Sequence, residues 1–203
     1  MFKDNGDGTW TVKFTTNGDT DYVTVDRMMA TANNGRFLYA NDGGDNGIQN
    51  VVAADNELWA ALAEKAYAQL NESNEIGQDG TNSYGGISGG SSATATTHLT
   101  DISTSWGKAS VSGAGSSVSS AELQALVNSN KVVTLGGFDE SADGPYTTAT
   151  DVQSGVRSHA YSITGYDSST GRYSIRNPWD TQHLSLTHEQ LVELNASIRW
   201  SNS

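Results

Sequence analysis

The sequence predicts an α+β fold in which an antiparallel sheet packs against one main helix. Residues 9–14 and 21–26 alternate apolar and polar side chains, which is the period-2 pattern of a half-buried strand. Residues 56–70 instead carry apolar side chains at helical spacing. Residues 158–179 contain two further strand-like runs joined by a short turn. Strands that follow one another directly in the chain favour antiparallel hairpins, with helices placed to one side.

The first predicted element is a β-hairpin near the N-terminus. Asn17 and Gly18 lie between the two alternating segments, and both tolerate the positive φ angles that a two-residue hairpin turn requires. Residues 36–40 read Arg-Phe-Leu-Tyr-Ala and predict a third short strand, which the following Asn-Asp-Gly-Gly ends.

The main helix is predicted over residues 56–70. Trp59, Leu62 and Ala66 follow helical spacing, and Asn56 or the Asp before it can cap the first turn. A polar, Gly-rich loop over residues 71–92 follows this helix.

The rest of the chain predicts a second, β-rich lobe. Gly and Ser dominate residues 110–120, so we place the boundary there, with residues 1–110 as the first lobe and 111–203 as the second. Within it we expect a helix opened by a capping box at Ser119–Glu122 and reaching about Val127, a strand over 131–135, a long loop over 136–153, and a helix opened by a capping box at Thr187–Gln190 and reaching about Asn195.

A histidine and an asparagine stand at the ends of the strand-like runs in this second lobe. A hairpin symmetric about Ser168 would place Gly165 opposite Gly171 and His159 opposite Asn177. Paired residues of an antiparallel ladder have Cβ atoms about 5 Å apart, which lets an amide hold an imidazole in one tautomer. A base held by an orienting group is two thirds of a nucleophilic triad. A strand histidine bonded to backbone and an asparagine in a turn are the structural alternatives.

Three motifs along the chain match one known family together. Residues 159–162 read His-Ala-Tyr-Ser and residues 175–179 read Ile-Arg-Asn-Pro-Trp. Residues 56–70 include Trp-Ala-Ala-Leu-Ala-Glu-Lys-Ala-Tyr-Ala-Gln, and residues 84–90 read Tyr-Gly-Gly-Ile-Ser-Gly-Gly. They occur along the chain in the family's order and cover most of residues 20–180, and together they resemble the calpain-like (C2 family) cysteine proteases of the papain superfamily.

The resemblance implies an incomplete papain-like fold and hydrolysis of polypeptide substrates through a Cys thiolate. His159 would take and return protons, and Asn177 would orient its ring. Trp179 would support the pair, because an indole that excludes water strengthens the hydrogen bond beneath it. Gly89, Gly90 and Ser158 would bind substrate backbone, although the family has Gly where this chain has Ser158.

The nucleophile itself is missing, because the chain contains no cysteine. In the family the catalytic Cys lies upstream of all three motifs. We therefore expect the chain to be inactive alone and completed by a Cys-bearing N-terminal fragment, from the same precursor or made separately. The abrupt start at Met1, just before the first predicted strand, favours a piece of a longer protein.

Two other function classes stay open. The first is a catalytically dead pseudoprotease that serves as a binding or scaffold module. The second is a β-rich adhesin or carbohydrate-binding domain that uses Trp10 or Trp106, and it predicts no proximity between His159 and Asn177.

Charge and composition exclude some partners. The net charge of −12 disfavours nucleic acid and anionic membranes. No apolar run reaches the 18 residues or so of a membrane-spanning helix. The acidic, Lys-poor composition is typical of bacterial secreted or surface proteins.

Calpain cores bind Ca²⁺, so the resemblance makes Ca²⁺ a candidate cofactor, but we assign no metal ligands. His98, His183 and His188 are expected on the surface.

Overall fold

The computed structural model describes residues 1–31, 33, 59–112, 115–129, 131–136, 138, 159–178 and 182–202. The described part is α+β, with antiparallel sheets and few helices, as predicted. Contacts divide the chain into two units, one containing Met1–Gly90 and Thr97–Asp101, the other containing Ser91–Thr96 and Ile102–Ser203.

The first unit contains a three-stranded antiparallel sheet and a helix. The strands are β1 (Phe2–Asp4), β2 (Thr9–Thr16) and β3 (Asp19–Asp26), in that order, and the helix is α1 (Trp59–Leu70). Asn17 (φ 52°) and Gly18 (φ 90°) join β2 to β3, which confirms the predicted hairpin. The short strand β1 was not predicted.

The core of this unit lies between the sheet and α1. Val12 and Phe14 alternate inward from β2, and both are fully buried. Leu62 and Ala66 of α1 meet them at helical spacing. The predicted helix start at residues 56–58 and the predicted strand at 36–40 lie outside the described residues. Trp59 shared the predicted apolar spacing, yet 57% of its surface is exposed at the helix start.

A single buried amide organises the loop that follows α1. After a 3₁₀ turn over Asn71–Ser73, the side chain of Asn71 donates to Asp79 Oδ1 at 2.8 Å and to the carbonyl oxygen of Thr81 at 3.0 Å. Its own oxygen accepts from the backbone of Gly80 at 3.3 Å. Asn71 is fully buried, so these bonds satisfy a polar group that would otherwise cost free energy to desolvate.

The second unit is built on a seven-stranded sheet. Its elements are β4 (Thr104–Ala109), β5 (Ser117–Val118), α3 (Ser120–Val127), β6 (Val133–Leu135), β7 (Tyr161–Asp167), β8 (Arg172–Arg176), β9 (Leu184–Thr187), α4 (His188–Glu193) and β10 (Ser197–Ser201). The strand order is β5-β4-β10-β6-β7-β8-β9, and among the described strands only the β4–β5 pair is parallel. A further helix, α2 (Ser92–Thr100), has residues in both units.

Both predicted capping boxes are confirmed. Ser119 and Glu122 bond reciprocally at the start of α3, and Thr187 and Gln190 do so at the start of α4. These pairs act over three residues, so their formation needs only local sequence.

Four strands of the second unit, β4, β5, β9 and β10, were not predicted because each spans only two to six residues, and helix α2 was missed as well. β4 begins six residues before the predicted lobe boundary at 110, and it pairs along its length with β10. The contacts therefore divide the chain nearer residues 90–102. Gly107 allows β5 to lie close to β4, since a Cβ there would lie 2.8 Å from Val118 Cγ2. Within the described ranges, no helix combines the length and apolarity needed to cross a bilayer.

Candidate active site

The candidate site lies at the open end of the β7–β8 hairpin. The ladder pairs Ser162 with Arg176, and a register shift then sets Gly165 opposite Ser174. The predicted symmetric register, with Gly165 opposite Gly171 and His159 opposite Asn177, is therefore wrong. The offset is already present at the turn, where Asp167 pairs with Arg172, and the irregularity between Ile163 and Gly165, which adds a residue to β7, then changes the register by one.

The imidazole and the amide nevertheless meet. His159 Nε2 lies 2.9 Å from Asn177 Oδ1. Since a carboxamide oxygen only accepts, His159 Nε2 carries the hydrogen and donates it. Asn177 is completely buried and His159 is partly exposed, so the bond is sheltered on the amide side.

An aromatic contact sets the plane of the His159 ring. Tyr161 lies two residues further on, and its ring stands edge-on to the imidazole with centroids 5.0 Å apart and an interplanar angle of 87°. Only 1% of the Tyr161 surface is exposed, so its ring is held by the core. The hydrogen bond and the edge contact together orient the ring.

Asn177 is held through its backbone as well. Its backbone N–H donates to Nδ1 of His183, with a separation of 3.1 Å. His183 is exposed, as expected, but this contact with Asn177 was not predicted. The sequence signal was weak, because the two residues are six apart and no motif joins them.

The other two histidines depart from the expectation of a surface position. His188 is 6% exposed, and its Nε2 donates to the carbonyl oxygen of Ser110 at 2.9 Å, so the expectation is wrong there. His98 is partly buried against Tyr67, whose hydroxyl lies 2.8 Å from His98 Nδ1. Burial lowers the pKa of His98 and raises the pKa of Tyr67 to about 12.

The expected supporting and substrate residues are only partly described. Trp179 and Ser158 lie outside the described residues, so their roles stay predictions. Gly89 (φ 119°) and Gly90 (φ 94°) belong to the first unit and take backbone conformations that favour glycine. A Cβ on Gly90 would approach Gln78 Nε2 to 2.4 Å. Their contact with substrate stays a prediction.

A cavity of about 650 Å³ in the second unit lies apart from the pair. Trp200, Val118 and Leu126 line it together with Glu122 and Lys131, and neither His159 nor Asn177 does. Its volume suits a small ligand, but neither residue of the candidate catalytic pair lines it, so we do not assign the cavity to hydrolysis.

Calcium binding stays a prediction. Among the residues that the structure describes, no group of three or more His, Asp or Glu side chains is arranged to hold a metal ion. Two carboxylates do converge on one hydroxyl, where Thr16 Oγ1 lies 2.5 Å from Asp21 Oδ2 and 2.6 Å from Glu75 Oε2. Such a pair supplies too few ligands for the six to eight oxygens that Ca²⁺ takes.

Comparison with known proteins points to one family. The model of the calpain family cysteine proteases matches residues 1–188. The chain is 30% identical to calpain clp-4 of Caenorhabditis elegans over 188 residues, which cover 89% of this chain and 22% of that protein. It is 29% identical to the calpain-2 catalytic subunit of Gallus gallus over 184 residues, covering 88% and 23%. The chain thus spans about a fifth of the length of these relatives.

Proposed function

Because this chain belongs to the calpain family of cysteine proteases, we propose that it is the His/Asn-bearing part of a papain-like endopeptidase core. The observation that carries the proposal is the 2.9 Å bond between His159 Nε2 and Asn177 Oδ1. The carbohydrate-binding hypothesis required these groups to lie apart, and their contact contradicts it.

The bond assigns the two ring nitrogens of His159 to different tasks. Nε2 keeps its hydrogen and donates it to Asn177, so Nδ1 is the nitrogen that exchanges a proton with a nucleophile. Asn177 thereby holds the tautomer that a general base needs and stabilises the imidazolium that forms next. Trp179 would shield this bond from water, as the family resemblance implies.

Hydrolysis would proceed through a cysteine that this sequence does not contain. The thiol gives its proton to His159 Nδ1, and the thiolate attacks the carbonyl carbon of the substrate peptide bond. His159 returns the proton to the leaving nitrogen as the C–N bond breaks, which leaves an acyl-enzyme. Water then gives a proton to His159 and its oxygen attacks the acyl carbon. The C–S bond breaks, the carboxylic product leaves, and His159 returns the proton to the sulfur.

The chain alone is therefore inactive as a thiol protease, and its partner is a Cys-bearing segment, on the same precursor or a separate polypeptide. The test is to read the coding region upstream of Met1 in the native gene and to co-express any Cys-bearing segment found there with this chain. Hydrolysis of a fluorogenic peptide is then measured with Ca²⁺ and with a chelator, so that a calcium requirement does not hide activity.

We expect hydrolysis only with both pieces, inhibition by a thiol alkylating reagent, and a fall in kcat of at least about 100-fold for His159→Ala. Ser174→Ala is the matched control, because this exposed β8 side chain lies three residues from Asn177. An active completed protein in which His159→Ala keeps its kcat would overturn the assignment.

The absence of cysteine also supports a second candidate, a catalytically dead pseudoprotease that binds partners. A cysteine-free upstream region, or a completed protein that binds peptide without cleaving it, would replace the protease proposal with this one.

A further inference from the structure

We infer that His183 is a positioning residue for the catalytic pair, acting through the backbone of Asn177. The inference rests on the proposed function and extends it by one residue. Three groups form a continuous chain of hydrogen bonds. His183 Nδ1 accepts from the Asn177 backbone N–H at 3.1 Å, and Asn177 Oδ1 accepts from His159 Nε2 at 2.9 Å.

The backbone explains why a side chain takes this place. The β8–β9 ladder ends with Ile175 opposite Leu184, just before Asn177 is reached. Gln182 has a φ of 55°, so the chain enters β9 through a left-handed residue rather than an extended one. The extended ladder stops there, yet Asn177 is completely buried and its N–H requires an acceptor. The imidazole of His183 supplies one.

The contact with His183 restrains the backbone N–H of Asn177, and the backbone position sets the direction of the Asn177 side chain. The side-chain bond to His159 holds the amide oxygen of Asn177, and the bond to His183 holds the backbone N–H of the same residue. Anchoring the N–H fixes the position of Cα, and therefore the direction in which the amide oxygen points. A displacement of about 1 Å in such an orienting group is large for catalysis.

The contact also fixes the chemistry of His183. Nδ1 accepts only when it carries no proton, so His183 is neutral and has its hydrogen on Nε2. The contact requires this tautomer, and the response of Asn177 and His159 to substitution of His183 then tests the positioning role.

The first test uses the chain as it exists and needs no protease activity. Imidazole ¹⁵N spectra of the wild type should show an unprotonated Nδ1 on His183. His183→Ala should increase amide exchange at Asn177 several-fold and shift the ¹⁵N signals of His159. His183→Asn places an oxygen near the former Nδ1 and should restore both. Ser174→Ala should change neither, and amide shifts across β7 and β8 report whether each variant folds.

The second test is kinetic and uses the chain completed by its Cys-bearing segment. His183→Ala should lower kcat about threefold to tenfold with little change in KM, since a residue that acts by orienting His159 affects the chemical step rather than substrate binding. His183→Asn should recover most of the loss.

The two tests distinguish failure of the positioning role of His183 from failure of the proposed protease function. Unchanged Asn177 exchange and His159 signals in His183→Ala overturn the positioning role, whatever the activity. If the completed wild type cleaves nothing while the spectra behave as expected, the link between the three residues stands and the proposed protease function fails. A loss of kcat that His183→Asn does not recover also counts against positioning by hydrogen bonding.

Discussion

His159 Nε2 and Asn177 Oδ1 are in hydrogen-bond contact at 2.9 Å, although the β7–β8 ladder does not pair the two residues. The contact is made by side chains that leave the sheet where both strands end. It therefore depends on where Asn177 is anchored and on the rotamer of His159, and less on the ladder itself.

Removing the amide should impair catalysis more than folding. In the completed enzyme we expect Asn177→Ala to lower kcat by about 100-fold, because His159 loses the group that selects its tautomer. Steady-state kinetics and the ¹⁵N spectrum of His159 measure the two effects, with Ser174→Ala as the control. Equal kcat values for Asn177→Ala and the wild type would show that the amide has no orienting role.

In the loop after α1, alanine should be tolerated at Gly85 but not at the neighbouring Gly86. A Cβ on Gly86 would lie 2.4 Å from Asp79 Oδ1 and 2.4 Å from Thr81 Oγ1, both part of the network around Asn71. We expect Gly86→Ala to lower the free energy of unfolding by about 1–3 kcal/mol. Gly85→Ala is the matched control, because its Cβ would meet only Ser83 Oγ at 3.8 Å and should change stability by less than about 0.5 kcal/mol. Urea unfolding that fails to separate the two variants contradicts this network.

The first unit should lose stability as the pH falls below neutrality. Burial lowers the pKa of His98 below its usual value of 6.5, so the unfolded chain takes up this proton more readily than the folded one. The stabilisation is fully present above about pH 6.5 and is lost as the pH falls through the folded pKa. Burial also raises the pKa of Tyr67 to about 12, so its hydroxyl stays protonated and donates to His98 Nδ1 until that nitrogen is protonated.

His98→Asn isolates this effect, because its amide oxygen accepts from Tyr67 and does not titrate. Urea unfolding between pH 7.5 and 5 should show the wild type losing more stability than the variant. Parallel pH profiles for the two proteins would mean that His98 titrates alike in the folded and unfolded states.

The capping box of α3 should contribute measurably to the second unit. Ser119 Oγ accepts from the Glu122 backbone at 3.4 Å, and Glu122 Oε2 accepts from the Ser119 backbone at 2.8 Å. The hydrogen bonds from Ser119, led by that of its side chain, lower the pKa of Glu122. We expect Ser119→Ala to destabilise the unit by about 1 kcal/mol in chemical unfolding, against little change for Ser174→Ala. Equal unfolding midpoints would show that the exposed cap adds nothing.

Features that depend on a few neighbouring residues were predictable. The Asn17–Gly18 turn and both capping boxes formed as expected, since their geometry is set within four residues. Strands β4, β9 and β10 escaped prediction because each is only four to six residues long. So short an alternation does not specify a strand, and the pairing partners complete it.

By itself the sequence determined the α+β class, the family, and the two residue types that the candidate chemistry requires. Only the tertiary structure decided how those residues meet, because the β7–β8 register, offset at the turn and again at the bulge, and a left-handed Gln182 are set by packing across strands. The contact between His183 and Asn177 belongs to the same class, since a hydrogen bond between two residues that lie just outside the ends of β8 and β9 leaves no periodic trace in the chain.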